Sequence, residues 1–442
     1  MIRRDAWREY SRGSLWLLPM VSVVLALLVG TVLSQVPVPP GSPLAFQGTA
    51  DDARALLIGI TGTMVTVIAL LLGLAVVALQ LSSTQFSPRL LRNFLRDRSN
   101  QIVLSVFVGT FAYSTGGLFE VGIAGGERSD EFPRFAVTVA VALLFASLAL
   151  LVYFADHLAH SLQVDHIMRV VERNTLPVIR ALPTNVENCS ASELPPVPPS
   201  AIPVSARASG YVQAIHVEKL LAAAATPRVN VRVQPRVGEH VVAGTPLAWI
   251  WPASPELPAP PAETFSPHLH AAVRIGFERT LEQDPGLGLR QLVDPACKAL
   301  SPAVNDPYTA IQAVEHLSVL FTALAARPLG PILAHDTTTG VTVVVPARSF
   351  TENLALGLGL IRRYGAQEPT VIQALLRLLV TVLAACTEPD RWSAIEAEAD
   401  LLVAAAERGV ADHADLATVH VEADALRRDL AARRATEPSP AM

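Results

Sequence analysis

Cysteine is nearly absent from this sequence. The three present, Cys189, Cys297 and Cys386, are far apart and form no C-x-x-C pair, which argues against zinc ribbons and thioredoxin-like chemistry and suits a reducing compartment. Charge is thin as well: charged residues are 17% of the chain, and its 34 Lys and Arg are spread along it, so no nucleic-acid-binding face is expected. Catalytic signatures are missing too. There is no G-x-S-x-G, no H-E-x-x-H and no nucleotide loop, because Gly286-Leu-Gly288 lacks both a third glycine and a preceding strand. The histidines and aspartates between Asp156 and His166 match no strong metal spacing. Neither a cofactor nor a metal is expected.

What is present is apolar. Hydrophobic residues make up 51% of the 442, and mean hydropathy is +0.39, which fits a membrane part joined to a second part outside the bilayer. Four spans are expected at about 15–36, 56–81, 102–119 and 135–155. The second holds no charged residue, and at about 1.5 Å per residue it is long enough to cross a hydrocarbon core of about 30 Å. The first follows Arg3, Arg4, Arg8 and Arg12 and is longer than a signal-peptide core, so it is expected to remain as an anchor. Ionisable groups are missing within the spans, with Glu120 only at an end, which weakens a proton-coupled carrier but not a passive channel.

Between the second and third runs lies a basic elbow: Gln85, Phe86, Ser87, Pro88 and Arg89, followed by Arg92 and Arg96. Ser87 as N-cap and Pro88 at the first helical position predict a short interfacial helix with its arginines toward anionic lipid. The other two inter-span loops carry only Arg54, Arg128 and Arg134, so both termini are expected in the cytoplasm. The second span carries Gly59, Thr61, Gly62, Thr63, Thr66 and Gly73. Such residues let helices approach closely, making this span the expected buried member of the bundle or the one nearest an axis.

The expected fold is a mainly α membrane protein. A four-helix transmembrane bundle occupies 1–160 and a juxtamembrane helix, continuous with the fourth span, occupies 161–183. A linker at 184–204, a small β-module at 205–253 and a second linker at 254–264 lead to a helical domain with a short hairpin at 265–435. Within that domain, helices are expected from Ser266-Pro267 to about Asp284, from about Gly288 to Leu300, and from a cap at Asn305 or Asp306 with Pro307 first. A long apolar-periodic run then extends from Phe350 to Cys386. The phrase from Pro235 to Leu247 resembles one half of a biotinyl/lipoyl-type barrel-sandwich module. It has no Met-Lys-Met-like tip, so the resemblance concerns shape and not carrier chemistry. Arg290, Asp294, Asn305, Asp306 and Thr309 form a candidate polar pocket; alternatively, Arg290 pairs with Asp294 one turn on, and Asn305 and Asp306 cap a helix.

Three segments in order, Gln85 to Arg98, Phe277 to Asp294 and Ala299 to Ala310, resemble a bacterial family of predicted membrane proteins with a domain of unknown function. The resemblance implies an inner-membrane protein with four spans and a cytoplasmic region, and it implies no activity. Where the family pattern has an isoleucine after the Asp of Arg-Gln-Leu-Val-Asp, this chain has Pro295. Two roles follow from these readings. One is an oligomeric channel whose second span lines or borders the path and whose cytoplasmic region gates it. The other is a membrane-anchored scaffold or sensor. The expected partners are the lipid bilayer, further copies of the chain, and a cytoplasmic protein or small-molecule ligand.

Overall fold

The computed structural model describes residues 16–39, 41–85, 98–121, 132–161, 163–183, 187–188, 194–258 and 262–436. The chain is mainly helical and divides into two compact units, Met1–Ile167 and Met168–Met442.

Among the described residues, the first unit contains four helices long and apolar enough to cross a membrane: α1 (Leu17–Ser34), α2 (Ala50–Gln85), α3 (Arg98–Val121) and α4 (Arg134–Ser161). The centre of the bundle is α3, not the Gly/Thr-rich α2. It packs against α1, α2 and α4, and its buried face mixes Val103, Phe107 and Tyr113 with Asn100, Gln101, Ser105, Thr110 and Ser114. Thr110 meets the Ser147 hydroxyl at 3.1 Å, and the Tyr113 hydroxyl donates to Ala136 O at 3.0 Å. Internal partners are what polar groups at bilayer depth require. Helix α2 is two-faced: Ala53, Leu57, Ile60, Met64, Leu71 and Ala78 point inward, while Gly59, Gly62, Thr63, Thr66 and Gly73 face out.

The fourth span does not run unbroken into the next helix. It ends at Ser161, and α5 (Val164–Arg180) begins beyond it. No Gly or Pro marks the break. What changes is patterning, from a helix apolar all round to one burying a single stripe, Met168, Val171, Thr175 and Ile179.

The second unit joins a sheet region to a helical one. A six-stranded sheet runs β1 (Glu187–Asn188), β8 (Ile332–Asp336), β9 (Val341–Val345), β4 (Val229–Val233), β6 (Pro246–Pro252), β2 (Ile202–Ser205). Only β4 with β9 is parallel, Val231 lying opposite Val343. A three-stranded sheet runs β5 (His240–Val241), β3 (Gly210–Ile215), β7 (Val273–Gly276). The strands alternate as half-buried strands do: Val229, Val231 and Val233 are buried and Asn230 and Arg232 less so. With α6 (Val217–Ala225) and α7 (Ala262–Ala272) they enclose one core that includes Leu220, Leu247, Ile250 and Leu269. The sheets therefore draw on strands well outside 205–253. The expected hairpin at 331–345 forms, but as part of the large sheet, and both expected linkers are shortened by β1, β2 and α7.

Among the described residues, six further helices complete the unit: α8 (Pro285–Ala299), α9 (Pro307–Ala325), α10 (Phe350–Tyr364), α11 (Pro369–Ala385), α12 (Pro389–Gly409) and α13 (His413–Thr436). The helix expected from Ser266 to Asp284 is instead α7 followed by β7, and the run from Phe350 to Cys386 is two helices. Gly365 N–H closes α10 onto Ile361 O at 2.7 Å, and Pro369 opens α11, a stop and a start. Ser349 and Glu352 form a reciprocal capping box at the head of α10.

Candidate functional site

A cavity of about 350 Å³ lies within the second unit. Its walls come from the C-terminal end of α5, the start of α6, the turn after β4, the segment leading into α8, the loop before β8 and the stretch from β9 to α10. Most of its lining is apolar, and five prolines, Pro183, Pro285, Pro328, Pro331 and Pro346, border it. Prolines bring no backbone N–H, so those five positions offer no backbone donor.

The polar end is built around Asp284, whose side chain is 1% exposed. It immediately precedes Pro285, the first residue of α8, but caps no N–H of that helix. Its carboxylate instead accepts from Arg279 Nη2 at 2.6 Å and Nε at 3.0 Å, and from Arg348 Nη1 at 3.2 Å. A buried carboxylate gripped by two guanidiniums satisfies the requirement that buried charge be paired. Two glycines make room for it. An added Cβ on Gly238, which sits at φ +87°, would collide with Asp284 Oδ2, and one on Gly286 would approach Arg348 Nη1 at 2.8 Å. Beside the cluster, Arg236 donates to Glu352 Oε1 at 2.7 Å. Burial raises the Glu352 pKa, but the Ser349 N–H and Arg236 outweigh it and leave the carboxyl below its ordinary value.

The five residues of the expected polar pocket lie elsewhere, and none lines this cavity. Arg290 Nε meets Asp294 Oδ1 at 2.8 Å across one turn of α8. Asp306 is the N-cap of α9, accepting from Thr309 N at 3.2 Å and from Thr309 Oγ1 at 2.6 Å. The Thr309 hydroxyl, then its amide, hold the Asp306 carboxyl below its usual value. Asn305 adopts φ +50° and donates its N–H to Ser301 O at 2.9 Å. Of the basic elbow, Gln85 is the last residue of α2, and Phe86, Ser87, Pro88, Arg89, Arg92 and Arg96 lie outside the described residues. Sequence reasoning missed Arg236, Arg279, Asp284 and Arg348. The available signal was a glycine, Gly238, between β-rich segments, together with Asp284-Pro-Gly.

Among the described residues, no group of three or more His, Cys, Asp or Glu is placed to hold a metal. Burial pushes the Cys297 and Cys386 thiols up to about 11. Both are therefore expected to resist iodoacetamide at about pH 8 in the folded protein, since the thiolate is the reacting species. Residue-resolved mass spectrometry checks this, and labelling of either at the rate of a free thiol would contradict it.

Four apolar helices ahead of a sheet-containing unit that holds a ligand-sized cavity define a multispan membrane protein with a sizeable second unit. The chain belongs to the predicted membrane protein family DUF2254, whose profile matches residues 12–381. It is 44% identical over 425 residues to uncharacterized proteins of Mycobacterium bovis and Mycobacterium tuberculosis, a match covering 94% of this chain and 81% of each relative. No solved structure matches it significantly.

Proposed function

We propose that this protein is an oligomeric, channel-like or gated protein of the bacterial inner membrane, with both termini in the cytoplasm and the second unit regulating it. The observation that carries the reading is the outer face of α2. Gly59, Gly62, Thr63, Thr66 and Gly73 lie exposed along it, and a Cβ at any of the three glycines would meet nothing within 4 Å. Thr63 and Thr66 turn their hydroxyls back to Gly59 O and Gly62 O at 2.8 and 3.1 Å, leaving a shallow stretch from Gly59 to Thr66, beyond which Leu70 is exposed. A shallow small-residue face gains little from lipid tails and much from a second helix packed closely against it. The uneven distribution of arginines supports the sidedness.

Oxidative cross-linking in native membranes tests the association. Gly62→Cys is expected to give a disulfide-linked dimer, whereas Met64→Cys, on the inward face, gives none. Monomer alone from both would remove the oligomeric reading. Reconstituted protein that never passes ions or small osmolytes, under tension or voltage, would remove the channel.

The cavity favours a second reading, a membrane-anchored scaffold or sensor whose second unit binds a cytoplasmic ligand or protein. A carrier-module-like shape for its sheet region is supported by the turns at Gly238 and Gly244, with φ of +87° and +88°.

A further inference from the structure

The geometry points to the cavity of the second unit as a binding site for an amphiphile with an anionic head, carboxylate or phosphate, and a medium-length hydrocarbon tail. This assignment stands apart from the oligomeric channel reading and needs none of it.

Size and wall chemistry set the tail. The cavity, about 350 Å³, lies at the small end of small-molecule pockets. Val178, Ile215, Val237, Leu329, Ile332 and Val345 contribute to its lining. The bordering prolines add apolar surface and stiffness, so an alkyl chain gains free energy by leaving water for it.

The head follows from how the charges are spent. Among the described residues, four charged ones line the cavity: Arg236, Glu282, Asp284 and Arg348. Three are committed chiefly to partners that do not line it. Glu282 pairs with Arg274, Asp284 takes two bonds from Arg279, and Arg236 pairs with Glu352. Arg348 is the exception. It spends one N–H of its guanidinium, on Asp284 Oδ1 at 3.2 Å, and its side chain is 22% exposed. A guanidinium presents five donors in a planar fork suited to carboxylate and phosphate oxygens. Arg348 is thus a cation with donors to spare beside an apolar chamber. An anionic head meets it favourably, a cationic head is repelled, and a neutral head forgoes a charge-assisted bond.

The test uses the full-length chain in lipid nanodiscs, with empty nanodiscs as reference, and equilibrium dialysis of radiolabelled decanoate and decyl phosphate. Saturable binding of one molecule per chain is expected for at least one of them. The tighter of the two assigns the source, free fatty carboxylate or phosphate-headed lipid fragment. Arg348→Gln is expected to weaken anion binding by about tenfold, the loss of one charge-assisted pair, while leaving any decanol binding unchanged. This variant keeps Asp284 paired with Arg279, so the buried carboxylate is not orphaned. Arg348→Lys should restore part of the affinity, and Ala347→Trp, which fills the chamber from its wall, should abolish it. No saturable binding above empty nanodiscs would overturn the assignment. So would decyltrimethylammonium bound as tightly as decanoate, or anion affinity unchanged in both Arg348→Gln and Ala347→Trp.

Discussion

Replacing Asp284 with alanine is expected to lower the stability of the second unit by about 3–5 kcal/mol, the usual result of removing one partner from a buried ion pair. The wild-type carboxylate is 1% exposed and holds two guanidiniums whose side chains are 20% and 22% exposed. Without it, Arg279 and Arg348 face each other across a small cavity with no counter-charge. Asp284→Asn should fall between, because the amide keeps the volume and one acceptor but loses the charge. Urea unfolding followed by tryptophan fluorescence measures both, since Trp249, Trp251 and Trp392 lie in this unit. A loss below about 1 kcal/mol for the alanine variant would mean that the cluster behaves as a solvent-exposed pair.

Phe321→Ala is expected to cost a similar amount, about 3–5 kcal/mol, by opening a cavity in the helical core. Phe321 is fully buried on α9, and its ring lies against the backbone of α10 at Gly357, where an added Cβ would stand 2.5 Å from the ring tip. The two residues should be coupled. Gly357→Ala alone overpacks the contact, with a cost of about 1–3 kcal/mol, whereas in a Phe321→Leu background the same methyl has more room. The double variant is therefore expected to be more stable than the sum of the single losses, by more than about 0.5 kcal/mol. Strict additivity in urea unfolding would show that the ring and the glycine do not share the strain.

The spans were legible because hydropathy is a property of composition, and four long apolar helices needed nothing else. Their arrangement was less so. The Gly and Thr residues of α2 suggest burial by type, yet its inward face is Leu57, Ile60, Met64 and Leu71, while the central α3 hides hydroxyls and amides that composition alone would leave near a surface. Strand β7 escaped because Val273-Arg-Ile-Gly276 is four residues long and follows α7 without a breaker. The capping motif around Asp306 was readable because its bonds close within three residues. Asp284 was harder. One of its arginines is five residues away, but the other is 64, and no local rule joins positions that far apart.

Pairing of β4 alongside β9 fixes an order of events during synthesis. Val231 finds Val343 only after more than a hundred further residues have left the ribosome, and until then a row of Val-rich backbone stays open to any neighbouring nascent chain. Fragments that stop after Pro252, however neat that boundary looks on paper, should clump when expressed, and a chaperone bound to β4 during translation is a reasonable thing to look for.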